Sequence, residues 1–415
     1  MHALRWLSRG NLCVAWMICA AALGRPLTAQ EGSGSGKRLP IGQKGVDYYG
    51  PETDNLFATL MDRAANGEVQ LEFHPQQGYL PAILRELQIP VESQLLLFSK
   101  TSLQTAHISP ATPRAFYFND EVTLGWIPDA PIIELMAQDP HKGTIFYSIP
   151  QTEGEFRPRR DQRCNGCHAT ARASYLPGFL LRSFETNDRG GPVSGRARVT
   201  QETPIDLRWG GWYITGETPR QSHRGNLRGP DDFAKHRDEP LYRGALADLS
   251  PLVDLSIYPV KTSDLSAAFV MDHFADTYNI LVRAGVEHRL GEKVTVIDDL
   301  VTALLMLDEA PLQGPVKGIG GFAEVYRAQG PADSAGRSLR ELDLDARVFR
   351  WGVSPLVYTR TFQQLPEPVR QEIQQQMTAL LDGSRAWPET AQPRSAEDRQ
   401  VALSILRETL ADWPR

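Results

Sequence analysis

The sequence of 415 residues has few cysteines and no excess of positive charge. Its 44 lysines and arginines stand against 50 acidic residues, so the formal net charge is −6. A chain of this composition has no long basic stripe to follow phosphates, which argues against nucleic acid as its main partner. Hydrophobic residues make up 41% of the chain, enough for a substantial core, and disorder of the whole chain is excluded.

The N-terminal 29 residues have the pattern of an export signal. Arg5 and Arg9 precede an apolar stretch over residues 12–23, and no acidic residue lies before Ala29. The apolar stretch is too short to span a bilayer comfortably, so we expect cleavage after Ala29, with an uncleaved anchor as the alternative. Loss of the three arginines in this segment takes the formal charge from −6 to −9. The sequence therefore predicts a periplasmic or secreted protein with no transmembrane segment after signal removal.

Two of the four cysteines leave with this signal, and the exported chain keeps one close pair, Cys164 and Cys167. His168 follows directly and completes the pattern Cys-x-x-Cys-His. Two thiols at this spacing can each form a thioether to one vinyl group of a haem, and the next residue then directs its imidazole at the iron. The motif predicts one covalent haem c with His168 as the proximal iron ligand.

Three other uses of the cysteine pair are open from the sequence. A zinc site needs about four ligands; a second cysteine pair is absent from the exported chain, so zinc would have to recruit distant side chains. A thioredoxin-like redox pair has no need of the following histidine, and residues 157–163 do not look like the buried strand that should precede it. A structural disulfide across so short a loop would stabilise little. These arguments favour haem.

The motif over residues 164–168 resembles that of the c-type cytochromes. The segments at 209–216 and 354–366 are similar to those of large, predicted secreted bacterial proteins with one such haem site, a group for which no activity is assigned. The resemblance implies that the protein binds haem, is exported and takes part in a redox reaction. It implies no substrate.

The chain changes character near residue 255, which predicts an α+β fold. Period-two runs predict an antiparallel meander of strands leading into the haem loop, over residues 94–99, 115–118, 122–127, 132–137 and 144–149. Helical patterns are expected over residues 54–65 and 80–87, and then over 264–284, 296–307, 355–364, 368–381 and 396–413. We expect a signal peptide over residues 1–29, an α+β haem-binding region over 30–255 and a mostly helical region over 256–415. The helical region is free to pack over the haem or to form a separate module.

The sixth iron ligand decides what kind of haem protein this is, since a second strong side chain favours electron transfer and an open position admits a small ligand. His273 lies in the predicted helix 264–284, on a face that can be partly apolar. His223 lies in a glycine-containing loop at residues 221–226, where backbone can approach a planar group closely. We take these two histidines as the candidates.

The propionates of a haem need cationic partners in an acidic chain. Arg163, Arg172 and Arg182 surround the motif, and a guanidinium suits a carboxylate. The alternative is that these are three solvated arginines. The tryptophans at 209 and 212 could wall the macrocycle, although strand aromatics are more often plain core.

Two main functions are compatible with this site. The first is electron transfer through a single covalent haem, with a redox partner protein. The second is a haem-dependent oxidoreductase with an open sixth position that acts on a small oxidant such as a peroxide or a nitrogen oxide. A gas or redox sensor is a third possibility. The length favours the enzyme or the sensor and the single haem motif favours transfer, which we take as the primary prediction; no haem-independent catalytic residues stand out.

Overall fold

A seven-stranded antiparallel sheet organises the N-terminal half of the computed structural model, which describes residues 37–170, 173 and 175–415. Of residues 195–197 only the backbone is described, and the expected signal peptide and Arg172 lie outside the described residues. The strands are β1 Leu95–Leu97, β2 Arg114–Phe118, β3 Val122–Trp126, β4 Ile132–Asp139, β5 Gly143–Pro150, β6 Arg159–Arg160, β7 Arg182–Thr186, β8 Pro192–Arg198 and β9 Trp212–Tyr213. The sheet order is β6-β5-β4-β3-β2-β1-β9, and β7 and β8 form a separate hairpin.

Helices dominate the C-terminal part, so the α+β fold class is confirmed. The helices are α1 Leu56–Ala65, α2 Leu80–Glu86, α3 Asn165–His168, α4 Gly229–Asp238, α5 Leu265–Arg289, α6 Ile297–Leu304, α7 Phe322–Ala328, α8 Arg360–Gln363, α9 Glu367–Asp382 and α10 Ala396–Thr409. Ser395 caps α10 by accepting from the amide of Asp398. None of the described helices is both long and apolar enough to cross a bilayer.

The helix predicted over residues 355–364 is wrong as a single element. A 3-10 turn over Pro355–Tyr358 and the short α8 replace it, and Thr359 lies between them with extended backbone angles. The hydroxyl of Thr359 accepts from the amide of Phe362 at 3.3 Å and so starts a new helix. This cap divides the segment that the apolar spacing predicts as one continuous helix.

Local turn chemistry sets the register of the predicted meander, which the structure confirms. At the β2–β3 turn the side chain of Asn119 accepts from the amides of Glu121 and Val122. At the β4–β5 turn Asp139 accepts from two following amides, and Gly143 closes the turn with a φ of 83°. These turns place Met136 of β4 opposite Phe146 of β5.

The sheet has an inner and an outer face with different partners. Along β4, Ile133, Leu135 and Ala137 are buried in a hydrophobic cluster with α1 and α2. Glu134 and Met136 alternate with them and lie half-buried on the opposite face. Strand β5 follows the same alternation, so Phe146 lies on the face of Glu134 and Met136. This second face is the one on which the haem motif lies.

The sheet and the C-terminal helices share a hydrophobic core. Leu95 and Phe118 of the sheet belong to the same cluster as residues of α5, α6, α9 and α10. Phe118 packs edge-on against Phe274 of α5, with ring centroids 6.4 Å apart. The described residues from 37 onward accordingly lie in one compact unit.

Candidate haem-binding site

The Cys-x-x-Cys-His motif adopts a short helical conformation. A 3-10 turn over Gln162–Cys164 runs into α3, and the carboxylate of Asp161 caps it by accepting from the amide of Arg163 at 3.1 Å. Residues three and four apart lie on one side of a helix, so Cys164 is next to both Cys167 and His168. The two thiols are free, with Cys164 half-buried and Cys167 exposed.

A backbone contact fixes the orientation of His168. Its Nδ1 lies 2.9 Å from the carbonyl oxygen of Gly178, and the amide of Gly178 donates back to the carbonyl of His168 at 3.1 Å. A carbonyl only accepts, so Nδ1 carries the proton and Nε2 keeps its lone pair. The ring packs on Phe146 of β5 at a centroid distance of 5.1 Å.

Burial lowers the pKa of His168, which keeps its imidazole neutral at neutral pH. Neutral imidazole with a free Nε2 is the form that ligates a metal, and a hydrogen bond from Nδ1 to a carbonyl is the usual way proteins orient such a ligand. Two unjoined thiols and one such imidazole are the protein groups that a c-type haem requires. The residues present therefore fit the group.

The alternatives to haem fit these residues less well. In the part of the chain that the structure describes, no three or more His, Cys, Asp and Glu side chains come together to hold a metal ion, as a zinc site would need. Burial, together with the charges of Asp161 and Glu134, raises the pKa of Cys164 to about 12. A dithiol redox pair needs a depressed thiol pKa instead.

Two charged residues of the sheet lie close enough to influence the motif, and the sequence reasoning missed both. Arg114 of β2 and Glu134 of β4 form an ion pair at 2.9 Å, and the charges of both act on the pKa of His168. The other oxygen of Glu134 accepts from Ser102 at 2.8 Å, while the guanidinium of Arg114 lies over the ring of Phe116. In the sequence, the signal that could have identified Glu134 is an acidic residue within an otherwise apolar strand.

Of the arginines predicted as propionate partners, the two that the structure describes have different surroundings. Arg163 bonds the carboxylate of Asp161 through Nε at 2.8 Å and through a second nitrogen, although its side chain is 62% exposed. Arg182 lies over the ring of Phe184, and its charge acts on the pKa of His168. Arg172 lies outside the described residues. Arg163 is thus paired with Asp161, and the propionate role of these arginines stays a prediction.

His273 is an interior residue of α5 whose two ring nitrogens are both engaged. Nδ1 lies 2.6 Å from Oε1 of Gln201, and Nε2 lies 2.6 Å from the hydroxyl of Ser354. The amide oxygen only accepts, so Nδ1 donates and Nε2 accepts from Ser354. The ring is 1% exposed and packs against Phe349. His273 as a sixth iron ligand stays a prediction, which these two hydrogen bonds disfavour.

His223 lies in the loop after β9 and is also fully buried. Its Nδ1 accepts from the amide of Gly225 at 3.0 Å, so a neutral ring carries its proton on Nε2. That Nε2 has no hydrogen-bond partner. Iron would need the lone pair that this tautomer lacks, and the ring instead packs against Trp209. His223 as a sixth ligand stays a prediction that the local geometry disfavours.

Comparisons of the chain with protein-family models, with curated proteins and with solved structures gave no match. Membership of the c-type cytochromes therefore stays a prediction that rests on the motif over residues 164–168 and on the geometry around His168.

Proposed function

We propose that the protein is an exported c-type cytochrome that holds one haem through Cys164 and Cys167 and takes part in electron transfer. The observation that carries the proposal is the 2.9 Å contact between Nδ1 of His168 and the carbonyl of Gly178, which leaves the lone pair of Nε2 free in a residue that directly follows Cys167 in the sequence. A bound haem would supply an iron that gains and loses one electron.

Each residue of the site has a distinct task in this proposal. His168 supplies the lone pair of Nε2, and the carbonyl of Gly178 orients the ring and increases its basicity. Phe146 packs against the imidazole from the sheet and limits its rotation. Cys167 is exposed, so a group tethered through it lies near the surface, where a redox partner protein can approach.

Arg114 joins Arg182 as a proposed partner for the haem carboxylates. It lies on the sheet face that carries Phe146 and Glu134, and its Nε is buried without a hydrogen-bond partner. An unpaired buried guanidinium nitrogen is costly. A carboxylate placed beside it would satisfy this donor.

A haem-dependent oxidoreductase is the second candidate function. The observation in its favour is that His273 uses both ring nitrogens within the core and that Nδ1 of His223 is already an acceptor. Because neither histidine presents a free lone pair to an iron, these contacts favour a sixth position that is open to a small ligand. A gas sensor would share that open position.

Production in a bacterium able to attach haem tests the primary proposal. We expect the exported chain to carry the mass of one haem, and expect the double variant Cys164→Ala/Cys167→Ala to release any pigment into acidic organic solvent. His107→Ala, which alters an exposed imidazole, is the control and should retain the covalent pigment. A wild-type chain without the added mass would refute the proposal.

Carbon monoxide separates the two functions. Rapid binding to the reduced protein would favour the oxidoreductase or the sensor, because it requires an open or easily vacated sixth position. A reduced spectrum that carbon monoxide leaves unchanged would favour electron transfer with two protein ligands.

A further inference from the structure

Asn279 of α5 binds the backbone that orients His168. Its Oδ1 accepts from the amide of Phe179 at 2.8 Å, and its Nδ2 donates to the carbonyl of Phe179 at 2.9 Å. The side chain is buried, with 5% of the residue exposed. Water therefore does not compete with either of these two hydrogen bonds.

The amide that Asn279 holds and the carbonyl that His168 contacts belong to the same peptide unit. The C=O of Gly178 and the N–H of Phe179 lie in one rigid plane and point in opposite directions when the bond is trans. Fixing the N–H against Asn279 consequently fixes the direction of the C=O toward Nδ1 of His168. A peptide unit that donates on one side also becomes a better acceptor on the other.

The contact between α5 and this segment is close on both sides of the peptide unit. A Cβ placed on Gly178 would lie 2.2 Å from Oδ1 of Asn279, so the backbone can approach only because residue 178 is glycine. Tyr278, the neighbour of Asn279, stacks on Phe179 with ring centroids 5.8 Å apart and an interplanar angle of 29°. Helix α5 thus holds the segment through two consecutive residues.

We propose that Asn279 is a positioning residue for the axial histidine, acting through the peptide unit between Gly178 and Phe179. It sets the Nδ1–H tautomer of His168 and the direction of Nε2. The part of this inference that concerns iron rests on the proposed haem function, whereas the part that concerns the tautomer does not. The C-terminal helical region thereby contributes to the haem ligand without touching it.

The test in protein produced without haem is the imidazole nitrogen spectrum of His168, assigned by comparison with His168→Gln. We expect wild type to show the Nδ1–H form and Asn279→Ala to show a mixture of both tautomers. The control is Asn55→Ala, which also removes two hydrogen bonds of a fully buried asparagine, from the opposite side of the sheet. An Asn279→Ala spectrum identical to that of Asn55→Ala would overturn the proposal.

Gly178→Ala provides a second route if Asn279→Ala does not fold. It keeps Asn279 and displaces the peptide unit by steric contact, so it should give the same mixture of tautomers. A pure Nδ1–H signal in this variant would equally refute the inference.

In haem-loaded protein, the pH at which acid displaces the axial histidine should rise by about one unit in Asn279→Ala, because losing an outer hydrogen-bond partner typically weakens metal ligation by about tenfold or more. Asn55→Ala should leave this pH unchanged. An unchanged midpoint in Asn279→Ala would refute the effect on iron. If the wild-type chain never acquires haem and Asn279→Ala still shifts the tautomer of His168, the haem proposal is refuted and the positioning role stands.

Discussion

Replacement of His273 by glutamine should make the fold less sensitive to mild acid. Burial lowers the pKa of His273 to about 3, because a charged imidazole in the core loses its hydration. An unfolded chain binds that proton below about pH 6.5. The neutral ring therefore contributes stability above pH 6.5, and this contribution is lost as the pH falls from 6.5 toward 3.

The size of the effect follows from the difference between the two pKa values. Each pH unit between them costs about 1.4 kcal/mol, so lowering the pH from 7.5 to 5.0 should remove about 2 kcal/mol of stability through His273 alone. Glutamine has no titratable group, so a His273→Gln variant lacks this loss. It starts from a lower stability at pH 7.5, because it cannot reproduce both contacts of the ring with Gln201 and Ser354.

Urea unfolding of the exported chain at pH 7.5 and 5.0 measures the effect. Other buried groups titrate in the same range, with burial raising the pKa values of Glu121 and Glu309 to about 7, so the share of His273 is the difference between wild type and variant. His107→Gln, at an exposed position, should behave as wild type. Equal losses of stability in wild type and His273→Gln would refute the reasoning. A changed haem spectrum in the variant would support His273 as an iron ligand.

Two further experiments test local structure, one at the cap of the cysteine motif and one at two glycines with positive φ. Asp161→Ala should lower the free energy of unfolding by about 2–3 kcal/mol at pH 7, because the carboxylate caps the turn and accepts from Ser148. The partner Arg163 holds the pKa of Asp161 well below its usual value, so the difference in urea midpoint between wild type and variant should narrow below about pH 4. A difference that does not depend on pH would contradict this. Gly211→Ala should lower the thermal midpoint of unfolding more than Gly154→Ala does. Both glycines have positive φ, but a Cβ at residue 211 would lie 2.6 Å from Ser99, whereas a Cβ at residue 154 would meet nothing. Equal midpoints for the two variants would show that steric contact plays no part.

Much of the fold was predictable because its signals are local. The period-two alternation of β4 and the turn residues before β3 and β5 determine strands and register within a few residues. The longer helices of the C-terminal part follow from apolar spacing. The sequence reasoning missed polar or glycine-containing segments, such as α4 and the β7–β8 hairpin. Helix α4 lies against β7, which is distant from it in sequence, with Arg237 beside Glu185.

The candidate site divides in the same way between sequence and structure. The sequence alone determined the two thiols and the adjacent histidine, since five consecutive residues carry their own spacing. Only the tertiary structure decided which nitrogen of His168 is free and which nitrogens of His273 and His223 form hydrogen bonds. The reason is that the tautomer of an imidazole depends on the donors and acceptors that the fold places beside its two nitrogens. The residue that completes this arrangement, Asn279, meets Phe179 across 100 residues of chain, a distance at which no local pattern can act.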